Sequence, residues 1–248
     1  MFNNVDELSP YATPERVFAL YNFVRSYGPV SAAGIRELLE PLNDISGSYT
    51  PECINVGKEL GIINSQNGKY QIAFTLDNID AFRQHAARIA FTPTTAFFRF
   101  SAFLLRKTAQ DLAVKYNQIE FESTVRDREG WRFWAEFFGL GIFNGMVYIA
   151  NAGKRIEYAL EDQPPDGMDI GIEAPRFIDW IRNTCPELME NLAINERLSM
   201  AVSNGLRYLH DVKVIHMENR PDAQTRLLLQ IMNQHELNEM FTHVALVR

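Results

Sequence analysis

The chain has 248 residues, of which 46% are hydrophobic and 22% charged, and its net charge is −7. This composition is typical of a folded globular protein, and the negative charge argues against unspecific coating of nucleic acid. No apolar stretch approaches the roughly 18 residues that a membrane span requires, and the polar, acidic start lacks the features of a signal peptide. Two cysteines, Cys53 and Cys185, are expected to be buried free thiols, which favours a reducing, cytoplasmic location.

The charge is distributed unevenly along the chain. Residues 1–80 carry a net charge of −5, residues 81–160 carry +4 and residues 161–248 carry −6. Because only the middle third is basic, a contact with phosphate is expected there first.

Three helices followed by a hairpin are predicted within residues 1–78. The sequence Thr-Pro-Glu occurs at 13–15 and again at 50–52. Each copy supplies a capping threonine, a proline at the first helical position and an acid in the first turn. Between the two, Ser31 begins a further helix, which closes before Pro41. Residues 59–73, ELGIINSQNGKYQIA, then predict a helix end, a short strand, a turn and a second strand.

A related sequence, GLGIFNGMVYIA, occurs at residues 139–150. Both segments contain Leu-Gly-Ile, an apolar residue and Asn, followed by a turn with Gly and then by a Tyr. Such internal similarity indicates a repeated structural unit. The alignment pairs Leu60 with Leu140, Ile62 with Ile142 and Tyr70 with Tyr148.

A third, looser copy is predicted at residues 206–229, LRYLHDVKVIHMENRPDAQTRLLL. In this copy Leu209 takes the place of Leu60, a strand begins at Val214, and residues 227–229 form the return strand. Because an isolated two-stranded hairpin is marginally stable at best, each hairpin is expected to lie against the helices that precede it.

The remaining helices complete the three predicted units, and a linker rich in turn formers at 162–169 separates the last one. The helix over 95–116 is apolar over most of its circumference and is expected in the interior. The sequence thus predicts a mainly α fold with short β-hairpins, divided into residues 1–78, 79–161 and 162–248. The helices are predicted, in chain order, over 79–90, 95–116, 126–138, 175–189 and 196–209.

The basic residues of the second unit are the first candidates for a nucleic-acid contact. Arg128 and Arg132 share one face of the 126–138 helix, while Trp131 and Trp134 share another. One interpretation is a tryptophan core beneath a solvated, salt-bridged face; the other is an arginine face that contacts phosphate. Neighbouring cations support the second interpretation, and the candidates in this unit are Arg106, Lys107, Arg126, Arg128, Arg132, Lys154 and Arg155.

The other two units offer weaker candidates. The third hairpin carries Lys213, Arg220 and Arg226, which either contact a DNA backbone or are simply solvated. In the first unit, Asn55 and Lys58 on the third helix are offset by Glu52 and Glu59. This balance favours a protein contact or a structural role there.

No catalytic constellation is found in the sequence. His235 and Glu236 resemble half of a zinc-protease helix, but residue 239 is Glu and not the second His. The glycines at 139 and 141 lead into Ile-Phe-Asn and no Lys-Ser/Thr follows, so a nucleotide-binding loop is not predicted. We therefore expect a protein without a cofactor, and an enzyme with a hidden site is the remaining alternative.

The segments at 59–73 and 206–229 resemble the third helix and wing of winged-helix proteins, a group of helix-turn-helix proteins that includes many bacterial regulators and assembly factors. The repeated arrangement also resembles a tandem winged-helix accessory protein of bacterial clusters that insert deazapurine bases into DNA. The resemblance implies a non-catalytic subunit that associates with DNA in a multiprotein defence or DNA-modification system. Other protein subunits and duplex DNA are the partners that the resemblance implies. A protein-only winged-helix scaffold or a transcriptional regulator is the alternative.

Overall fold

The computed structural model describes the backbone of residues 2, 10–40, 49–108, 111–119, 125–189, 197–223, 227–229 and 240–247. Side chains are described for all of these except residues 107, 117, 125–128, 227 and 228. The helices of the described residues are α1 (Pro14–Tyr27), α2 (Ala32–Leu39), α3 (Thr50–Glu59), α4 (Ile79–Ala90), α5 (Ala96–Lys107), α6 (Val125–Phe137), α7 (Gly153–Asp162), α8 (Ala174–Thr184), α9 (Pro186–Met189) and α10 (Met200–Asp211). The strands are β1 (Val30–Ser31), β2 (Ile63–Gln66), β3 (Lys69–Ile72), β4 (Ala113–Lys115), β5 (Gly141–Asn144), β6 (Val147–Ala150), β7 (Ile172–Glu173), β8 (Ile215–Glu218), β9 (Leu227–Leu228), β10 (Met240–Phe241) and β11 (His243–Leu246).

Helices outweigh strands, and the strands form small antiparallel sheets. This confirms the predicted combination of a mainly helical chain with short hairpins. No helix in the described ranges has both the length and the apolar character needed to cross a membrane.

Two of the predicted helix starts are confirmed by their caps. The side chains of Thr13 and Ser31 each accept the backbone N–H three residues further on, at 3.4 and 3.2 Å, as N-cap residues do. The start of α3 differs, because its N-cap is Tyr49 and Thr50 already lies inside the helix. Glu40, at the end of α2, replaces the missing cap and accepts the N–H of Thr50 at 2.9 Å.

The three-stranded sheets of the described residues share one order. The spatial orders are β1-β3-β2, β4-β6-β5 and β7-β11-β8. In each sheet the strand that comes last along the chain lies in the centre, between the other two strands. In every case the chain runs through a helix, a short strand, a helical segment, a further helix and then the two longer strands; the third stretch also contains α9 and the β9–β10 pair. For the second sheet the helical segment after β4 is the 3-10 helix Tyr116–Gln118. We call these three stretches the first, second and third modules, beginning at α1, α5 and α7.

Two predicted helices were too long. The helix expected over 95–116 ends at Lys107, and Ala113–Lys115 instead forms β4, paired with β6. Thr108 follows the last helical residue, and its hydroxyl and its N–H both donate to the carbonyl of Leu104 at 3.0 Å. The helix expected over 175–189 is divided between α8 and α9 at Cys185, because Pro186 has no N–H to continue the first helix.

The return strand of the third hairpin was also wrongly placed. β8 pairs with β11, not with residues 227–229, and Leu227–Leu228 pairs with Met240–Phe241. The register sets Val244 opposite Met217, and both side chains are buried. Burial of this alternating apolar face selects β11 over the nearer leucine run.

The first two hairpins are equivalent at an offset of 78 residues, so two of the three predicted pairs were wrong. The residue after each helix cap has a positive φ, +63° at Gly61 and +76° at Gly139. Ile62 therefore corresponds to Leu140, and both are fully buried, whereas Ile142 is 55% exposed. The pairing of Tyr70 with Tyr148 already has this offset and agrees with the structure.

The third hairpin follows the same helix-end geometry. Lys213 has a φ of +61° and stands where Gly61 stands in the first module. The N–H of Val214 donates to the carbonyl of Leu209 at 2.9 Å, as the N–H of Ile62 donates to Gly57 at 3.0 Å. Leu209 therefore corresponds to Gly57 and not to Leu60.

The chain folds into two compact bodies. The first consists of Met1–Phe97 and Phe121–Phe137, and the second of Phe98–Glu120 and Phe138–Arg248. Residues of the predicted unit 79–161 thus occur in both bodies, and the division into three units stays a prediction.

Each body has its own well-packed core. In the first body, Trp134 is fully buried, donates its indole N–H to the carbonyl of Ala12 at 2.9 Å, and has its ring 5.0 Å from that of Phe2. In the second body, α7 and α10 cross at Gly153 and Gly205, where an added Cβ would lie 2.6 Å from neighbouring atoms. Only glycine permits so close an approach of two helix backbones.

Candidate nucleic-acid interface

The first body contains a groove of about 380 Å³ between α2, α3 and β3. This volume lies within the range of small-ligand pockets. The groove is lined by Ala32, Ala33, Arg36, Thr50, Pro51, Ile54, Asn55, Lys58 and Tyr70.

Helix α3 supplies the larger part of this lining through one stripe of its surface. The stripe consists of residues 50, 51, 54, 55 and 58, the spacing at which residues share a helix face. Cys53, Val56 and Leu60 lie on the other side of the helix and are buried in the core. Burial of that apolar side therefore fixes Asn55 and Lys58 toward the groove.

The lining is cationic. Among the described residues that line it, Arg36 and Lys58 are the charged ones and none is a carboxylate. The acids Glu52 and Glu59, which were expected to offset Lys58, are only partly exposed and lie outside the groove. The three-dimensional arrangement thus separates charges that are intermingled in the sequence.

Local contacts hold both cations in place. Arg36 donates from Nε to Oε2 of Glu40 at 2.6 Å, and Glu40 in turn accepts the N–H of Thr50 through its other oxygen. The ammonium nitrogen of Lys58 lies 5.1 Å from the centroid of the Tyr70 ring, within cation–π range. Lys58 forms no ion pair with the described residues.

The outer face of the sheet in the first module is polar. Its cross-strand pairs place Asn64 opposite Gln71, and Gln66 and Ser31 opposite Lys69. Asn64, Gln66 and Lys69 are exposed around the turn. Hydrogen-bonding side chains therefore occupy both α3 and the hairpin of this module.

The equivalent faces of the other two modules differ in chemistry. In the second module, Ile142 lies opposite Ile149 and Asn144 opposite Val147, so the outer face is largely apolar. In the third module, His243 lies between Glu218 on one side and Glu173 on the other. One topology thus presents a polar, an apolar and an ionisable surface.

Several predicted DNA contacts are exposed but engaged locally. Arg106, near the end of α5, has its guanidinium carbon 5.6 Å from the centroid of the Phe103 ring. Lys154 on α7 has its ammonium nitrogen 2.7 Å from Oε2 of Glu157, and this hydrogen bond raises the pKa of Lys154. Arg220 follows β8 and donates from Nε to Glu218 at 2.6 Å. Phosphate would have to compete with these partners.

Arg155 is placed differently from the other candidates. Arg155 is only 7% exposed, and its guanidinium forms a 2.8 Å ion pair with the fully buried side chain of Glu187. A second bond joins it to the carbonyl of Thr184 at 3.3 Å. The expectation that Arg155 contacts DNA is corrected accordingly, because this side chain stabilises the interior of the second body.

The predicted arginine face of α6 is described only in part. Arg132 is half-buried, and Trp131 and Trp134 form the buried face of the helix, as the core interpretation expected. The side chains of Lys107, Arg126 and Arg128 and the whole of Arg226 lie outside the described residues. Lys213 is exposed at the end of α10, in the left-handed conformation noted above.

The described residues offer few groups for metal binding or nucleophilic chemistry. Within the described ranges, no three His, Cys, Asp or Glu side chains are grouped to hold a metal ion. Cys53 and Cys185 are buried free thiols, as expected, and burial raises the pKa of each to about 12. Thiols that stay protonated are poor nucleophiles and metal ligands.

Sequence reasoning missed Arg36, Thr50 and Tyr70 as members of a site. The α3 stripe could have been found from its helical spacing, which places Thr50 and Lys58 on one face. The contributions of Arg36 and Tyr70 depend on how α2 and β3 pack against α3, which no local pattern records.

Comparisons with known proteins identify no relative. No family model matches the chain, and no curated protein or solved structure matches it.

Proposed function

We propose that the protein is a non-catalytic tandem winged-helix subunit that associates with duplex DNA through its first module. The observation that carries this proposal is the groove lined by Arg36 and Lys58, with Asn55 beside them and no carboxylate among its described lining residues. Lysine, arginine and amide side chains are the groups that most often bind phosphates and base edges.

The topology of the modules supports the winged-helix assignment. A winged helix that reads DNA inserts its third helix into the major groove and sets its hairpin on the backbone. In the first module α3 has the position of that helix, and the hairpin of β2 and β3 turns at Asn67 and Gly68, both with positive φ. Exposed Asn64, Gln66 and Lys69 surround this turn and would contact the backbone.

The setting in a multiprotein bacterial defence or DNA-modification system rests on the resemblance of the repeated arrangement to a tandem winged-helix accessory protein of such systems. A role as a connecting subunit is consistent with three modules whose outer sheet faces differ in chemistry, and two buried free thiols are consistent with a cytoplasmic location. The polar first module would bind DNA, and the other two modules would bind protein subunits.

The proposal is tested by titrating a fluorescent duplex with the protein at several salt concentrations and following fluorescence anisotropy. Binding that releases counterions weakens linearly on a log–log plot against salt, with a slope of about 0.9 per phosphate contacted. We expect a slope equivalent to a few phosphates. Absence of salt-sensitive binding to any duplex would refute the proposed function.

A protein-only scaffold is the second candidate, and one observation favours it. Ile142 and Met146 of the second hairpin are 55% and 46% exposed, and Ile149 and Val147 continue this apolar face beside Lys115. Such a face fits a partner segment that carries apolar side chains and a carboxylate. Replacement of Ile142 by Asp would abolish partner binding and leave duplex binding unchanged if the two contacts are separate.

A further inference from the structure

We infer that the groove between α2, α3 and β3 is a binding pocket for a nucleoside monophosphate, either free or at the end of a DNA strand. The inference concerns a single nucleotide and does not require the duplex contact proposed above. It is carried by four polar side chains with unused hydrogen-bonding capacity that line the same groove.

Thr50 is the most enclosed of these four residues. It is 2% exposed, and its hydroxyl has no hydrogen-bond partner within the described residues. A buried polar group without a partner is unfavourable by an amount comparable to a lost hydrogen bond, and it often marks a ligand position. Thr50 lines the groove, but its hydroxyl oxygen is itself closed to solvent, so a ligand oxygen satisfies this hydroxyl after a small shift of the groove wall.

Arg36 offers the charged donors on the α2 side. It uses Nε to reach Glu40, so its two terminal nitrogens, which carry the remaining N–H groups, have no partner in the part of the chain that is described. Glu40 holds the guanidinium and partly neutralises it. The terminal nitrogens are nevertheless arranged to bind a phosphate at two points, which a lysine cannot do.

Lys58 adds the second positive charge, from α3. With Arg36 it gives the groove two cations, of which only Arg36 has a carboxylate partner within the described residues. The described part of the lining therefore has a surplus of positive charge. A phosphate monoester, which carries between one and two negative charges near neutral pH, fits this surplus.

The rest of the lining fits a planar, partly apolar body. Ala33, Pro51 and Ile54 give apolar surface, and Tyr70 adds an aromatic ring, beside the Lys58 ammonium, that a base can contact. Asn55 has an amide that forms no hydrogen bond with the described residues and can pair with a base edge. An inorganic anion would leave this surface unused, which is why a nucleotide is assigned.

The test is calorimetric titration of the full chain with adenosine and thymidine 5′-monophosphates, with the matching nucleosides and with inorganic phosphate. We expect saturable binding of a monophosphate with a dissociation constant below roughly 1 mM, and binding at least about tenfold weaker for nucleoside and for phosphate. No saturable binding of either monophosphate, or equal binding of inorganic phosphate, would overturn the inference.

Three variants locate the site. Lys58→Ala is expected to weaken nucleotide binding by about tenfold or more, and Thr50→Val by about threefold to tenfold. Thr50→Val is nearly isosteric and removes a hydroxyl that has no partner, so this variant should fold as the parent does. Lys154→Ala removes the same charge on α7, outside the groove, and should leave nucleotide binding unchanged. Parental affinity in both groove variants would contradict the inference.

Two further measurements complete the test. One identifies the source of the nucleotide, and the other distinguishes this inference from the proposed function. A short oligonucleotide with a 5′-phosphate that binds more tightly than the free nucleotide assigns the strand end, and the reverse order assigns the free nucleotide. Duplex binding without nucleotide binding would refute this inference alone. Nucleotide binding without duplex binding would refute the proposed function alone.

Discussion

Lys213 occupies the same point in its helix–hairpin junction as Gly61. The N–H of Gly61 donates to the carbonyl of Lys58 at 2.9 Å, and the N–H of Lys213 donates to that of His210 at 3.1 Å. Both residues have a φ slightly above +60°. The third module thus places a lysine where glycine is the residue that adopts the left-handed conformation without a steric penalty.

Replacement of Lys213 by Gly should therefore stabilise the second body. A side chain in the left-handed region costs roughly 1–2 kcal/mol, part of which the greater flexibility of unfolded glycine offsets. We expect the free energy of unfolding, measured with urea, to rise by about 0.5–1 kcal/mol. Gly61→Ala is the reciprocal control and should lower the free energy of unfolding by about 1 kcal/mol. A destabilised Lys213→Gly variant would contradict the strain assigned to this residue.

Alanine substitutions at Gly139 and Gly145 distinguish the free-energy cost of a positive φ from the cost of a steric clash. Both have positive φ, but a Cβ at Gly139 would lie 2.7 Å from the backbone nitrogen of Arg155, whereas one at Gly145 meets nothing within 4 Å. We expect Gly145→Ala to cost about 1 kcal/mol and Gly139→Ala to cost at least about 1–3 kcal/mol more. Urea unfolding measures both, and equal losses would show that the contact of residue 139 with α7 is not tight.

The Arg155–Glu187 pair should be far more sensitive to mutation than the Arg220–Glu218 pair. Glu187 is 1% exposed, so Glu187→Gln removes the buried carboxylate that pairs with the Arg155 guanidinium, a loss that typically costs about 3–5 kcal/mol. Arg220 and Glu218 are solvated, and Glu218→Gln should cost less than about 1 kcal/mol. Thermal and urea unfolding of the two variants provide the comparison. A small loss for Glu187→Gln would contradict the buried placement of this pair.

The two buried thiols predict a loss of stability in alkaline solution. Burial raises the pKa of Cys53 and Cys185 from the ordinary 9.0 to about 12, so the unfolded chain releases these protons first. The free energy of unfolding should fall as pH rises from about 9 towards 12, by up to about 1.4 kcal/mol per pH unit for each thiol.

Cys53→Ala and Cys185→Ala provide the control for this pH dependence, because each should make the slope shallower whatever it does to stability near neutral pH. The native thiols should also resist a thiol reagent that the unfolded chain consumes. Rapid modification of either cysteine under native conditions would contradict its burial.

The sequence predicted those features that a few neighbouring residues determine. Thr13 and Ser31 act as helix caps within their own first turns, and the positive φ of Gly68 follows from the two-residue hairpin turn that it forms with Asn67. The strands β1, β4 and β7 were not predicted, because two or three residues show no periodicity. They exist through pairing with strands that lie between about 30 and 70 residues further along the chain.

The alignment of the repeats failed for a related reason. Gly139 and Gly141 both lie near the end of α6, and the sequence similarity selected Gly141 as the partner of Gly61. The backbone selects Gly139, which has the positive φ, while Gly141 is the first residue of β5. The candidate site shows the same limit: Lys58 was recognised in the sequence, but its separation from Glu52 and its proximity to Arg36 follow from packing.

The central claim is that duplex DNA is bound by the first module, and two matched charge reversals test it most directly. Lys58→Glu changes the groove, and Lys154→Glu makes the same change on α7, where the lysine is already paired with Glu157. In a fluorescence anisotropy titration with duplex DNA, we expect Lys58→Glu to weaken binding by at least about tenfold and to reduce the salt slope by about one, and Lys154→Glu to retain binding within about twofold. Loss of binding in Lys154→Glu with parental binding in Lys58→Glu would contradict the assignment.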